Sequence, residues 1–221
     1  MAEAARVRGW DYIGITDHSQ AAFYAGGLTH DRVLQQHEEI DALNATSPGV
    51  RILKGIEADI LANGALDYDA DLLDRFDFVV GSIHSRFAMD QQRMTDRVLH
   101  AMDDPHLTVL GHPTGRLLLS RDPYPIDMDA VLEKAGALGV AVELNADPKR
   151  LDLDWRLLAR AKALGVAIEI GPDAHSTNGL DNMVIGVGMA RKAGVECGDV
   201  LNARSVDDML AFARARRATQ R

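Results

Sequence analysis

The sequence contains a single cysteine, Cys197. No internal disulfide can brace the fold, and a reducing, cytoplasmic compartment is expected. No apolar run approaches the ~20 residues needed to span a bilayer. The opening Met1-Ala2-Glu3-Ala4-Ala5-Arg6 is a charged helical pattern without the apolar centre of a signal peptide. Positive charge is also scarce. The 24 Lys and Arg face 33 Asp and Glu, for a net charge of −9. That balance argues against broad, charge-driven nucleic-acid binding and suits an acidic pocket that holds cations, though it equally serves plain solubility. Linkers and low-complexity segments are absent, so residues 1–221 are expected to form one domain, large enough for a substantial core.

What is present is alternation of helix and strand. Ala137-Leu138-Gly139-Val140-Ala141-Val142-Glu143 can be laid against Ala163-Leu164-Gly165-Val166-Ala167-Ile168-Glu169. Helix, glycine stop and strand recur, which is the unit of a parallel α/β architecture. Strands are expected over 11–15, 51–56, 78–83, 108–110, 140–144 and 166–170, with a short last one at 200–202. Helices are expected at the start, closing at Gly9, and over 31–43 (leaving through 44–49), 69–75, 91–102, 129–138, 154–164, 183–193 and 206–217. A dinucleotide-binding sheet would show G-x-G-x-x-G after an early strand. The chain instead reads Thr16-Asp17-His18, and a closed barrel is favoured over an open sheet.

The strand ends carry the chemistry. They lead into His18, Glu57, His84, His112 and Asp173-x-His175. Each residue alone has an ordinary reading as a hydrogen-bonded loop residue or a helix cap. Together, at the C-terminal ends of barrel strands, they would share one cavity, where four histidines and two carboxylates without a cation would leave buried charge uncompensated. Mixed imidazole and carboxylate ligation suits Zn, Mn or Fe. In an extended chain Asp173 and His175 leave on the same side, and Asp17 faces away from His18. His30, His37, His100 and His106 are expected at the surface. The basic cluster Arg214, Arg216, Arg217 and Arg221 is read as a solvated helix end favoured by the dipole.

Ile15-Thr16-Asp17-His18-Ser19, Gly55-Ile56-Glu57, Gly81-Ser82-Ile83-His84-Ser85, Gly111-His112-Pro113 and Pro172-Asp173-Ala174-His175-Ser176, in this order, resemble the PHP (polymerase and histidinol phosphatase) superfamily. His112-Pro113-Thr114-Gly115-Arg116-Leu117-Leu118 and Glu143-Leu144-Asn145-Ala146, followed by Arg150-Leu151-Asp152-Leu153, resemble the C-terminal PHP domain of bacterial family X DNA polymerases. The resemblance implies a distorted (β/α)7 barrel with up to three divalent metals, commonly Mn or Zn. It implies that His18 and His175 share one metal, that His84 and His112 hold a second, that Glu57 bridges and that Asp173 completes the remaining site. The family opens on a strand bearing His-x-His, which this chain lacks. That first strand is therefore expected to be missing, with looser packing, fewer metals and self-association through uncovered strand edges. The site of Glu57, His84 and His112 is the one whose implied ligands are all present.

By resemblance, the activity is phosphoester hydrolysis by metal-activated water without a Ser or Cys nucleophile, directed at DNA 3′ ends, as in 3′-5′ exonucleolysis. In a longer protein, polymerase domains would position the DNA. Arg116 is a candidate for gripping phosphate, or a loop arginine paired with an acid such as Asp122. Asn145 is a candidate for contacting substrate or a ligand's neighbour. Two alternatives stand beside this reading. One is a structural or interaction module with an incomplete metal site, and the other is a small-molecule phosphatase of the histidinol-phosphate type.

Overall fold

A computed structural model describes residues 1–46 and 49–218. Six strands, β1 (Tyr12–Ile15), β2 (Arg51–Asp59), β3 (Phe78–Ser82), β4 (Leu107–Leu110), β5 (Ala141–Asn145) and β6 (Ile168–Gly171), lie in sequence order. Every neighbouring pair is parallel. The sheet is curled into a half-barrel. Among the described residues β1 and β6 do not pair with each other. The strand expected at 200–202 is a 3-10 turn, with one parallel bridge from Val200 to Ile168.

Among the described residues, eight helices accompany the strands: α1 (Ala2–Val7), α2 (His30–Thr46), α3 (Ala70–Leu73), α4 (Gln91–Asp103), α5 (Met128–Leu138), α6 (Trp155–Ala163), α7 (Met183–Lys192) and α8 (Val206–Ala218). The chain's exit from α2 through Ser47 and Pro48 lies outside the described residues. Aspartates start four of the helices. The carboxylates of Asp69, Asp90, Asp127 and Asp154 accept from backbone N–H groups of the first turn that have no partner within the helix. Gly139 and Gly165, the matched stops of the two sequence copies, have φ of 69° and 70°, where a Cβ would be strained. No helix among the described residues is long and apolar enough to cross a membrane.

The two faces of the sheet differ. On one, Ile56, Ala58, Val79, Leu110, Val142, Leu144 and Ile168 join a core with Met94, Val98, Val131, Leu132 and Leu158 from α4, α5 and α6. On the other, the N-terminal halves of the strands are apolar. Leu53, Phe78, Val109 and Ala141 pack there against Leu201 and against Met209 and Ala213 of α8. Gly14 and Gly55 make room for the Phe78 ring, which a Cβ at either position would meet at 2.5 or 2.6 Å. Towards the C-terminal ends this same face turns polar, through Glu57, Asp59, Ser82, Glu143, Asn145 and Glu169. A packed floor therefore lies beneath a polar rim.

The last turn of α8 is not a solvated basic end. Arg216 is buried and donates to the carbonyls of Met102 and Asp104 at the end of α4, and Arg217 donates to the Phe76 carbonyl. The carbonyls of Met102 and Asp104 need partners because a helix end leaves them unpaired. Arg221 lies outside the described residues. His37 and His106, expected at the surface, are also buried. His106 bridges Asp104 (2.8 Å) and Asp74 (3.1 Å).

Candidate metal centre

At the polar rim, the ends of β1 to β4 deliver four side chains to one point. Glu57, near the end of β2, is the hub. Its carboxylate lies 3.2 Å from His18 Nδ1, 3.3 Å from His84 Nε2 and 3.0 Å from His112 Nε2. The three imidazoles stand edge to face, His84 being 4.8 Å from His18 and 5.1 Å from His112 between ring centres. Donor atoms on a tetrahedral ion with bonds of about 2.0–2.2 Å stand about 3.3 Å apart, close to the three separations between Glu57 and the imidazoles. His18, Glu57 and His84 each offer an atom within 4.8 Å of the others.

The hydrogen bonding points the same way. His18 Nδ1 and His84 Nε2 are buried and close to Glu57, yet neither is aligned as a hydrogen bond. Two buried ring nitrogens without a hydrogen-bond partner, aimed at one carboxylate, are costly unless a further group fills the space between them. The other nitrogen of His84 is occupied, 2.7 Å from Asp59 Oδ1. A carboxylate held against Nδ1 keeps a proton there, and a metal at the hub would take the place of the proton on Nε2. Asp59 is held in turn, since its backbone N–H donates to Ser19 Oγ. The donor set fits a divalent metal.

The charges are arranged accordingly. Burial alone would raise the Glu57 carboxyl, but the close approach of His112 and His84 holds it well below the usual carboxylate range. Burial would depress His84, yet Asp59 and Glu57 push it up to about 9. His18 is depressed, chiefly by burial. Burial raises Asp152. It also raises Glu143, aided by repulsion from Glu169 and Asp173, and pushes Glu169 up to about 8.

The end of β6 behaves differently. Asp173 faces the site through other residues, with Asn145 Nδ2 donating to its Oδ2 at 3.0 Å and Arg150 Nε 3.4 Å away. His175 turns out to solvent, its side chain 78% exposed and Nδ1 3.0 Å from the Asp173 carbonyl. The reason is backbone geometry. The strand ends at Gly171, and Asp173 has φ of 48°. The alternation that would place Asp173 and His175 on one side holds only for extended chain.

Arg116 is placed as a clamp. It donates to the carbonyls of Arg150 (3.0 Å) and Leu151 and to Asp154 (3.0 Å), not to Asp122. Asn145 also donates to Glu143 Oε1 at 3.3 Å, and Glu143 accepts the backbone N–H of His112. Asp17 points away and accepts from Gln36. Asp59, Glu143, Asp152 and Arg150 escape a reading based on strand ends. The signal that could have found Asp59 is its spacing, two residues beyond Glu57 on the same face. Asp152 is fully buried and accepts from the backbone and hydroxyl of Thr114, fixing the loop that follows His112.

No family model matches the sequence. The chain is 47% identical over 212 residues, 96% of its length, to the "DNA polymerase/3'-5' exonuclease PolX" of Bacillus subtilis, of which it spans 37%. It is 31% identical over 154 residues to a "Probable phosphatase" of Caldanaerobacter subterraneus, covering 65% of this chain and 54% of the relative. A "Probable phosphatase" of Acetivibrio thermocellus is 32% identical over 148 residues, 66% of this chain and 56% of the relative. The chain thus spans little more than a third to a half of these relatives. In fold it is similar to the crystal structure of histidinol phosphate phosphatase from Lactococcus lactis, solved with zinc, L-histidinol and phosphate. The TM-score is 0.59 at 18% identity, over 88% of this chain and 86% of that one. By its strand-end motifs, its fold and these relatives, the chain belongs to the PHP (polymerase and histidinol phosphatase) superfamily.

Proposed function

We propose that residues 1–221 act as one metal-dependent phosphoesterase domain that hydrolyses DNA phosphodiesters at 3′ ends. The observation that carries this reading is the set of three histidines presented to one partly buried carboxylate, with two ring nitrogens lacking hydrogen bonds. The likeness to a protein named as a polymerase and 3′-5′ exonuclease supports DNA as the substrate. Zinc or manganese suits the imidazole and carboxylate donors, and the phosphatase of similar fold was solved with zinc.

His18, Glu57, His84 and His112 would hold the metal, with Asp173 and His175 completing the set if the loop after β6 moves inward. A bound ion would supply Lewis-acid polarisation of the phosphoryl group and activation of a water. The chain's own residues supply the rest. Asp59 keeps the proton of His84 on Nδ1, and Glu143 fixes the His112 backbone. Asn145 and Arg150 orient the Asp173 carboxylate. Arg150 Nη1 is buried without a hydrogen-bond partner, and we assign this fork to a phosphate oxygen. Arg116 then positions the loop that carries Arg150. In the reaction a water oxygen bonds to phosphorus, the P–O3′ bond breaks, and the leaving 3′ oxygen takes a proton.

The test is hydrolysis by the chain, supplied with Mn or Zn, of a labelled single-stranded oligonucleotide and, separately, of histidinol phosphate. Release of nucleotides from the 3′ end, lost in Glu57→Gln, is expected. Turnover of histidinol phosphate alone would make the domain a small-molecule phosphatase. Turnover of neither would leave a non-catalytic module.

A further inference from the structure

The loop between β1 and α2 leaves the rim at His18 and returns to it. Leu28 N donates to the His18 carbonyl at 2.9 Å, and Ser19 and Leu28 form a parallel bridge. Ala21 N donates to Asp67 Oδ2 at 2.6 Å, and the Tyr68 hydroxyl donates to the Leu28 carbonyl. Gly27 packs so tightly on Ser19 that a Cβ would meet its carbonyl oxygen at 2.0 Å. The base of the loop is therefore fixed.

Its tip is not packed. Ala22 is fully buried, whereas Phe23 and Tyr24 are 83% and 65% exposed. Their rings stand edge to face, 6.3 Å between centres. The sequence holds eleven aromatic residues (2 Trp, 4 Tyr and 5 Phe), and only these two are exposed. One exposed ring is ordinary. Two neighbours on an anchored loop have no packing reason to stay there.

Their surroundings suggest one. The loop starts at His18 and is tied back to it through Leu28, so the rings stand at the edge of the metal centre, where burial chiefly, and then Asp59 and Glu57, raise the Tyr24 hydroxyl against Arg150 and Arg121. Arg121 lies 4.3 Å over the Phe87 ring and donates to the Gly115 carbonyl, which fixes its direction. Flat apolar rings at the edge of a phosphoester-cleaving centre match an unpaired nucleotide, whose base stacks while its phosphate is held. With a net charge of −9, the chain has no general electrostatic grip on a duplex. Local stacking is the means left to it.

We infer that Phe23 and Tyr24 form a stacking platform for an unpaired terminal nucleobase, so that the site selects single-stranded or frayed nucleic-acid ends. The inference rests on the phosphoesterase reading above and adds what the substrate must present.

The experiment titrates the full chain, with chelator present so that nothing is cleaved, into single-stranded DNA carrying 2-aminopurine at its 3′ end. A second strand carries an abasic 3′ nucleotide. Wild type should quench 2-aminopurine fluorescence and bind that strand about tenfold or more tightly than the abasic one. Phe23→Ala/Tyr24→Ala should lose both the quenching and the preference, binding both strands equally. Phe23→Tyr/Tyr24→Phe, which keeps both rings, should retain both. Equal binding of the two strands by wild type, or no binding of either, would overturn the platform. Hydrolysis with metal supplied is scored separately. Cleavage without stacking removes the platform and leaves the phosphoesterase reading, and stacking without cleavage does the reverse.

Discussion

The ends of β1 to β4 and the end of β6 carry the same kinds of side chain, yet only the first set converges. His84 and His112 lie two residues past the ends of β3 and β4, and Glu57 lies inside β2. His18 is tied to Glu57 by a parallel bridge. The ladder fixes Glu57, and buried partners fix the two histidines, Asp59 at His84 Nδ1 and Glu143 at the His112 backbone N–H. Asp173 and His175 lie two and four residues past the last residue of β6, and the chain turns left-handed at Asp173 itself, with φ of 48°. Asp173 is held by Asn145 and Arg150, and His175 is held by nothing but its own turn. A ligand-type residue becomes a placed donor through backbone pairing or a buried partner, not through nearness to a strand.

Four substitutions sharpen this comparison. Glu57→Gln should have the largest effect, because three histidines share that carboxylate. Metal affinity by calorimetry should fall about a thousandfold, beyond the roughly 10–100-fold typical of indirect partners. Unchanged affinity would place the metal elsewhere. Glu169→Gln probes the β5–β6 side through pH. The Glu169 carboxyl is raised from 4.5 to about 8. Its contribution to stability is therefore complete below pH 4.5 and is lost as pH rises through about 8. Denaturant unfolding of metal-free protein should show wild type losing on the order of 5 kcal/mol more than the variant between pH 4 and 9. Parallel pH profiles would contradict the burial of this acid. Asp59→Asn should lower metal affinity about 10–100-fold by releasing the proton-bearing nitrogen of His84, and Asp59→Glu should recover part of it. His175→Ala should be the mildest, within about threefold in metal affinity and about 0.5 kcal/mol in stability, as for exposed positions. A loss as large as that of Asp59→Asn would show that the loop after β6 closes on the metal.

Much of this was legible in the sequence. The copies at 137–143 and 163–169 gave two helices, two glycine stops and two strands where they are found, because helix stop and strand onset are local events. The histidine cluster was legible because parallel strands in one curled sheet share an end. What was hidden depends on tertiary contact. The apolar stripe of α8 shows that a helix buries Met209 and Ala213, but not that it floors the face carrying the site. Arg216 reads as a basic tail until the carbonyls of Met102 and Asp104 need partners. Arg116 reads equally as a phosphate ligand or as a loop arginine paired with an acid, and which acid and carbonyls it meets depends on how the loop at 150–154 folds under it. Phe23 and Tyr24 are silent in the sequence because apolar rings in a loop give no sign of whether they will be covered.

The most direct measurement is anomalous diffraction at the zinc or manganese edge from crystals of the metal-loaded chain. A peak within bonding distance of Glu57 and of at least two of His18, His84 and His112, lost in Glu57→Gln crystals, is the result expected here. Loaded crystals with no peak at the hub, or with a peak only at other residues, would contradict the metal centre and the hydrolytic chemistry built on it.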